Sequence, residues 1–165
     1  MTHKDQILAV LEKETDILKR LFTLIPNTMY EYTPMPGMRT TLELLKYVSW
    51  CSLSCVESYT ETDPGKRKMI YSNYDDYGET MKPEEFPLRM DEQMEKMRSL
   101  LNNITDDEML SREVVLPWRE PKQLGEALIE TSVKWLAGYK MQLFLYMKLN
   151  GIELDTGDCW IITED

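Results

Sequence analysis

Trp135, Tyr139, Gln142 and Tyr146 follow one another at steps of four, three and four residues in SVKWLAGYKMQLFLYMKLNG, residues 132–151. On a helix this spacing puts three rings and one amide on a single stripe. That composition serves a hydrogen-bonded core network and a small-molecule pocket equally well. Tyr47, Tyr139 and Tyr146 carry the hydroxyls that could satisfy Gln142. Cys51 and Cys55, four residues apart, share a helix face and could hold a soft metal ion. Without further ligands beside them they read more simply as small core residues. His3 is the single histidine of the chain. Multi-histidine zinc, nickel or iron sites are thereby excluded, as are Ser–His–Asp and Cys–His nucleophile pairings. There is no glycine-rich phosphate loop and no CxxC motif, and GKRK at 65–68 lacks the upstream glycine of a Walker motif. The acidic pairs Asp75–Asp76 and Glu84–Glu85 read as solvated surface.

The 165 residues suffice for one domain with a sizeable core, taken as residues 1–165. A formal charge of −10 opposes duplex nucleic acid and anionic membranes, and GKRK is too short a basic patch to reverse that field. The N-terminal stretch MTHKDQILAVLEKETDILKR is too regularly charged for a signal peptide or a membrane span, and no later apolar run reaches the ~18 residues of a span. Three cysteines do not make a disulfide framework, so a reducing, cytoplasmic location is expected.

The elements that must position these residues are helices. Ile7, Leu11, Leu18, Leu21, Phe22 and Ile25 make residues 4–25 an amphipathic helix ended by Pro26. Three prolines and a glycine make 26–39 an ordered surface connection. Thr40 and Glu43 form a capping-box pair opening a second helix, with Leu44, Leu45, Val48 and Cys55 inward and DPGK at 63–66 as its stop. Residues 67–88, rich in Tyr, Asp, Pro and Glu, are expected to be a long crossing loop with one helical turn at most. A third helix at about 88–104 turns Met90, Met94, Met97, Leu101 and Ile104 inward. TDDEML (105–110) reads as a turn capped by Thr105, and REVVLPW (112–118) as a short extended piece. The fourth helix, about 121–150, carries Leu124, Leu128, Thr131, Trp135, Tyr139, Gln142, Tyr146 and Leu149 within one ~80° band. Gly151 follows at the position of a left-handed C-terminal cap. In the polar tail, 152–165, Trp160, Ile161 and Ile162 are available to pack back. The fold class is all-α, a four-helix bundle with a long crossover connection.

YTPMPGMRTTLELLKYVSW (32–50), ALIETSVKWLAGYKMQLFLYMKLNG (127–151) and DTGDCW (155–160) resemble the DinB-like superfamily: the entry to its second helix, its last long helix, and its tail. The resemblance implies a four-helix bundle, commonly dimeric. Many members hold a divalent metal through one histidine of helix two and an H-x3-H pair of helix four followed by Gln. Relatives include thiol-dependent transferases and isomerases. On this chain the three ligand positions fall on Tyr47, Trp135 and Tyr139, and the glutamine on Gln142. Indole N–H cannot ligate and a neutral phenol ligates poorly, so the resemblance implies a metal site refilled with rings. The expected protein is then a metal-free, non-catalytic binding or interaction protein without a cofactor, and a homodimer. Its small-molecule site would comprise Tyr47, Cys51, Trp135, Tyr139 and Gln142. One alternative is a thiol-dependent transferase or hydrolase-like enzyme that retains the pocket, with Cys51 as thiol partner and a divalent metal on non-histidine ligands. Another is a partner-binding module built on the tyrosine-rich segment 70–81.

Overall fold

The computed structural model describes residues 2–161; the expected packing of Ile162 lies outside the described residues. Helix α1 (His3–Thr23) opens with a capping box between Thr2 and Asp5. A second capping box, between Thr40 and Glu43, starts α2 (Thr41–Val48), as the sequence predicts. The second helix then breaks where the sequence predicts continuity. Trp50 leaves the helical region (φ −142°), and α3 (Cys51–Thr60) begins after it. The Ser49 hydroxyl caps the carbonyl of Lys46 at 2.7 Å, next to the break.

The segment expected as a crossing loop is mainly helical. Asp63 accepts hydrogen bonds from the N–H groups of Gly65 and Lys66, and Pro64 occupies the first turn of α4 (Pro64–Glu79). DPGK is thus an N-terminal signal, not only a stop. Helix α4 lies against α2 and α3, and its close approach has a cause. A Cβ on Gly78 would fall 2.4 Å from Nε1 of Trp50, so only glycine lets the indole settle there. Helix α5 (Phe86–Asn102) follows, then α6 (Asp106–Ser111), capped by Thr105. The expected extended piece is strand β1 (Glu113–Val115), paired antiparallel with β2 (Pro121–Gln123), which puts Val114 opposite Lys122.

The last long helix is not uniform. It comprises α7 (Leu124–Leu128), a π-helical turn (Ile129–Val133) and α8 (Lys134–Leu149). Gly151 has φ 81°, the expected left-handed cap, and α9 (Thr156–Trp160) packs on α1 and α8. Helix α1 touches α5 and α8, and α3 touches α5 and the π-helical turn. The links 24–40 and 103–123 therefore each run between opposite corners of a four-helix bundle. Leu11, Leu18, Leu45, Met90, Met97, Leu128 and Leu143 meet in its core.

Candidate functional site

One extra residue in the π-helical turn changes which face of α8 is inside. The buried stripe runs Leu136, Lys140, Leu143 and Met147, one position later than the predicted 135, 139, 142 and 146. A helix advances about 100° per residue, so the predicted inner stripe is rotated onto the flank. Trp135, Tyr139 and Gln142 are half-buried, Tyr146 is buried, and Leu149 is 66% exposed. Reciprocal hydrogen bonds fix the bulge to α3: the Ser52 hydroxyl donates to the Ser132 carbonyl at 2.8 Å and the Ser132 hydroxyl to the Ser52 carbonyl at 3.1 Å. Both serines are fully buried.

This geometry brings some of the candidate residues together and separates others. Tyr47 meets Tyr139 edge-to-face with ring centroids 5.0 Å apart, and Trp50 in the same manner at 4.8 Å. The Arg39 guanidinium lies over the Tyr47 ring, 4.3 Å from its centroid. Cys51 is wholly buried one helical turn beyond Tyr47. Gln142 joins a different network: its amide donates to the Tyr146 hydroxyl at 2.7 Å, which donates to the Arg39 carbonyl at 3.0 Å. This relay ties the link 24–40 to α8. Trp135 packs against the core and is not among the rings paired with Tyr47.

Burial pushes the thiols of Cys51 and Cys55 and the phenols of Tyr47 and Tyr71 above their ordinary values. The charged forms that would act as nucleophile or metal ligand are therefore disfavoured. Cys55 Sγ and the Tyr71 hydroxyl share a hydrogen bond of 3.2 Å. Tyr47, Cys51, Cys55 and Tyr59 recur every four residues, so a run of ring and sulfur side chains follows α2 and α3, with Tyr71 laid across it from α4. Trp50, Tyr71 and Tyr74 complete the ring cluster, with Tyr74 stacked on Trp50 at 6.4 Å. The sequence does not reveal these partners, because α4 carries no apolar stripe that would mark it as a helix: only Ile70 and Gly78 are buried along it. The tyrosines of 70–81 point inward to protein partners, Tyr74 to Glu57 and Tyr77 to Glu92 at 2.6 Å.

The histidine-type metal site implied by the resemblance does not fit these residues. Two of its three positions hold rings in contact, the third holds an indole, and a guanidinium cation stands beside them. Among the described residues no group of three or more His, Cys, Asp or Glu is placed to hold a metal ion. No described helix is long and apolar enough to cross a membrane.

No family model matches the sequence, and no curated protein matches it either. Solved structures match by fold. A DinB-family member from Exiguobacterium sibiricum superposes with a TM-score of 0.72 at 15% identity, covering 96% of this chain and 98% of that one. The DinB-like protein YjoA of Bacillus subtilis gives 0.69 at 21% identity, covering 91% and 94%. A mycothiol-dependent maleylpyruvate isomerase gives 0.57 at 14% identity, covering 87% of this chain and 62% of that one. The class is thereby defined as an all-α bundle, and the chain has the DinB-like fold.

Proposed function

We propose that this chain is a metal-free DinB-like bundle that binds a small molecule and carries out no catalysis. The observation that carries the reading is the packing of Tyr47 against Tyr139 at 5.0 Å, at two positions where metal-holding relatives are expected to have histidine. Arg39 adds a fixed positive charge at that place, which opposes a divalent cation. The candidate groups at this place are Tyr47, Cys51 and Tyr139, with Trp135 and Gln142 at the flank. Beside them a cleft of about 340 Å³ opens over Tyr47, Trp50 and Arg39. The reading keeps a single domain and a cytoplasmic homodimer.

Metal content per chain, measured by mass spectrometry on untagged protein purified without chelators, tests this. A ratio near zero is expected. A ratio near one overturns the reading in favour of a thiol-dependent enzyme using non-histidine ligands. The likeness to the mycothiol-dependent isomerase favours that second reading, whereas the burial of Cys51 weighs against a reactive thiolate.

A further inference from the structure

Five charged side chains line the cleft over Tyr47, Trp50 and Arg39, and three of them have partners. Lys46 pairs with Glu79 at 2.9 Å, and the Glu43 carboxylate accepts the Thr40 N–H at 2.7 Å in the capping box of α2. Arg39 and Asp75 are left: among the described residues neither side chain makes an ion pair or a hydrogen bond. One cation and one anion thus line the same concave space of about 340 Å³, at the small end of ligand pockets.

Arg39 is held in place from both sides. Gly37 has φ 87° and the Met38 N–H donates to the Met35 carbonyl at 3.2 Å, so Pro36 and Gly37 form a turn whose third position calls for glycine. On the other side, the relay from Gln142 through Tyr146 grips the Arg39 carbonyl. The guanidinium then rests over the Tyr47 ring. A contact with a ring face uses none of its five N–H donors, so the fork stays available to a carboxylate. Part of the ordering that binding requires is therefore already in place. Trp50, only 4% exposed, supplies an apolar ring to the same cleft.

The balance of charge decides the ligand class. Against Arg39 and Lys46 stand Glu43, Asp75 and Glu79, in a chain of net charge −10. These carboxylates oppose a plain anion, and Arg39 opposes a plain cation. A molecule with one charge of each sign meets neither objection. We propose that this cleft binds a zwitterion of the α-amino-acid type, its carboxylate on the Arg39 fork, its ammonium toward Asp75 and its apolar side chain on the Trp50 ring. The inference rests on the binding reading above and names the ligand class of that site.

The test is an amide NMR titration of the full chain at neutral pH with L-phenylalanine. Phenethylamine and 3-phenylpropionate, which lack the carboxylate and the ammonium respectively, are titrated beside it. Phenylalanine is expected to give saturable shifts centred on residues 37–47 and 75–79, with each singly charged analogue about fivefold weaker. Arg39→Gln is expected to weaken phenylalanine about fivefold and to leave phenethylamine unchanged or tightened. Asp75→Asn is expected to weaken phenylalanine while leaving 3-phenylpropionate unchanged or tightened. A merely structural role for either residue would move all three probes together. Both side chains are exposed, so the unfolding midpoints of the two variants should match the parent. Absence of saturable shifts at millimolar phenylalanine overturns the proposal. So does either analogue binding as tightly as phenylalanine, or a loss of affinity equal for all three probes in each variant. Metal content reads on the previous reading alone. A ratio near zero without phenylalanine binding removes the ligand class and leaves the metal-free reading standing, while a ratio near one removes that reading whatever the titration shows.

Discussion

The buried thiols and phenols make the chain sensitive to alkali in a defined direction. Burial raises Cys51 and Cys55 above an ordinary thiol value of 9.0, and pushes Tyr59 from 10.0 up to about 12. A raised acid favours the folded state while it stays neutral. That contribution is complete below the unfolded value and declines as pH rises from there toward the folded one. Stability is therefore expected to hold steady through neutral pH and to fall above about pH 9, each group contributing at most about 1.4 kcal/mol per pH unit. Urea midpoints between pH 7 and pH 11 check the slope. A thiol reagent should label Cys51 only as fast as the protein unfolds; rapid labelling of the native protein would contradict its burial. The residue types were legible: Cys51 and Cys55 are core residues, as their spacing indicates. The partner of Gln142 was not legible, because three tyrosines stood within reach on paper and only helix phase selects Tyr146.

At the scale of elements, that phase is set by the π-helical turn at Ile129–Val133, which no periodicity in the sequence announces. Residues 124 and 128 fit one straight helix with 135 and 139, but they fit equally well with 136 and 140 once a residue is looped out. Tertiary contacts decide, through the paired serines Ser52 and Ser132. Deleting Glu130 should convert the bulge to regular α-helix with the stripe Leu136, Lys140, Leu143 and Met147 still inward. The expected outcome is a folded protein within about 2 kcal/mol of the parent. Deleting Gly138 instead rotates the rest of α8 by about 100°, exposes Leu143 and Met147, and should abolish cooperative unfolding. Circular dichroism melts of the two variants separate these outcomes. Helix α4 was illegible for another reason. Only Ile70 and Gly78 are buried along it, so its inner face is made by tyrosines that half-bury their rings and leave no apolar stripe to read. The capping boxes, the end of α1, α5 and the Gly151 cap were legible because local chemistry specifies them.

At the scale of the whole molecule, the same rotation carries a charge into the bundle. Lys140 is fully buried, and its ammonium lies 2.7 Å from Glu14 of α1 and 4.1 Å from the Trp160 ring of α9. Neither the Lys140 nitrogen nor the facing Glu14 oxygen has a hydrogen bond of good geometry, so the contact rests on charge. Arg20 and Asp158, 2.5 Å apart, hold α9 against α1 beside it. Together these contacts join α1, α8 and the C-terminal turn, elements far apart in sequence whose meeting only the folded bundle defines. A buried pair of this kind contributes little net stability compared with an apolar replacement, yet removing one partner leaves an uncompensated charge. Glu14→Gln is therefore expected to cost about 3–5 kcal/mol, whereas Glu14→Leu combined with Lys140→Met should be near neutral or stabilising. A double-mutant cycle by urea denaturation measures the difference. A cost for Glu14→Gln below about 1 kcal/mol would mean that Lys140 reaches water when unpaired. That in turn requires Trp160 and α9 to move off the bundle, and Trp160 fluorescence in the variant reports whether they do.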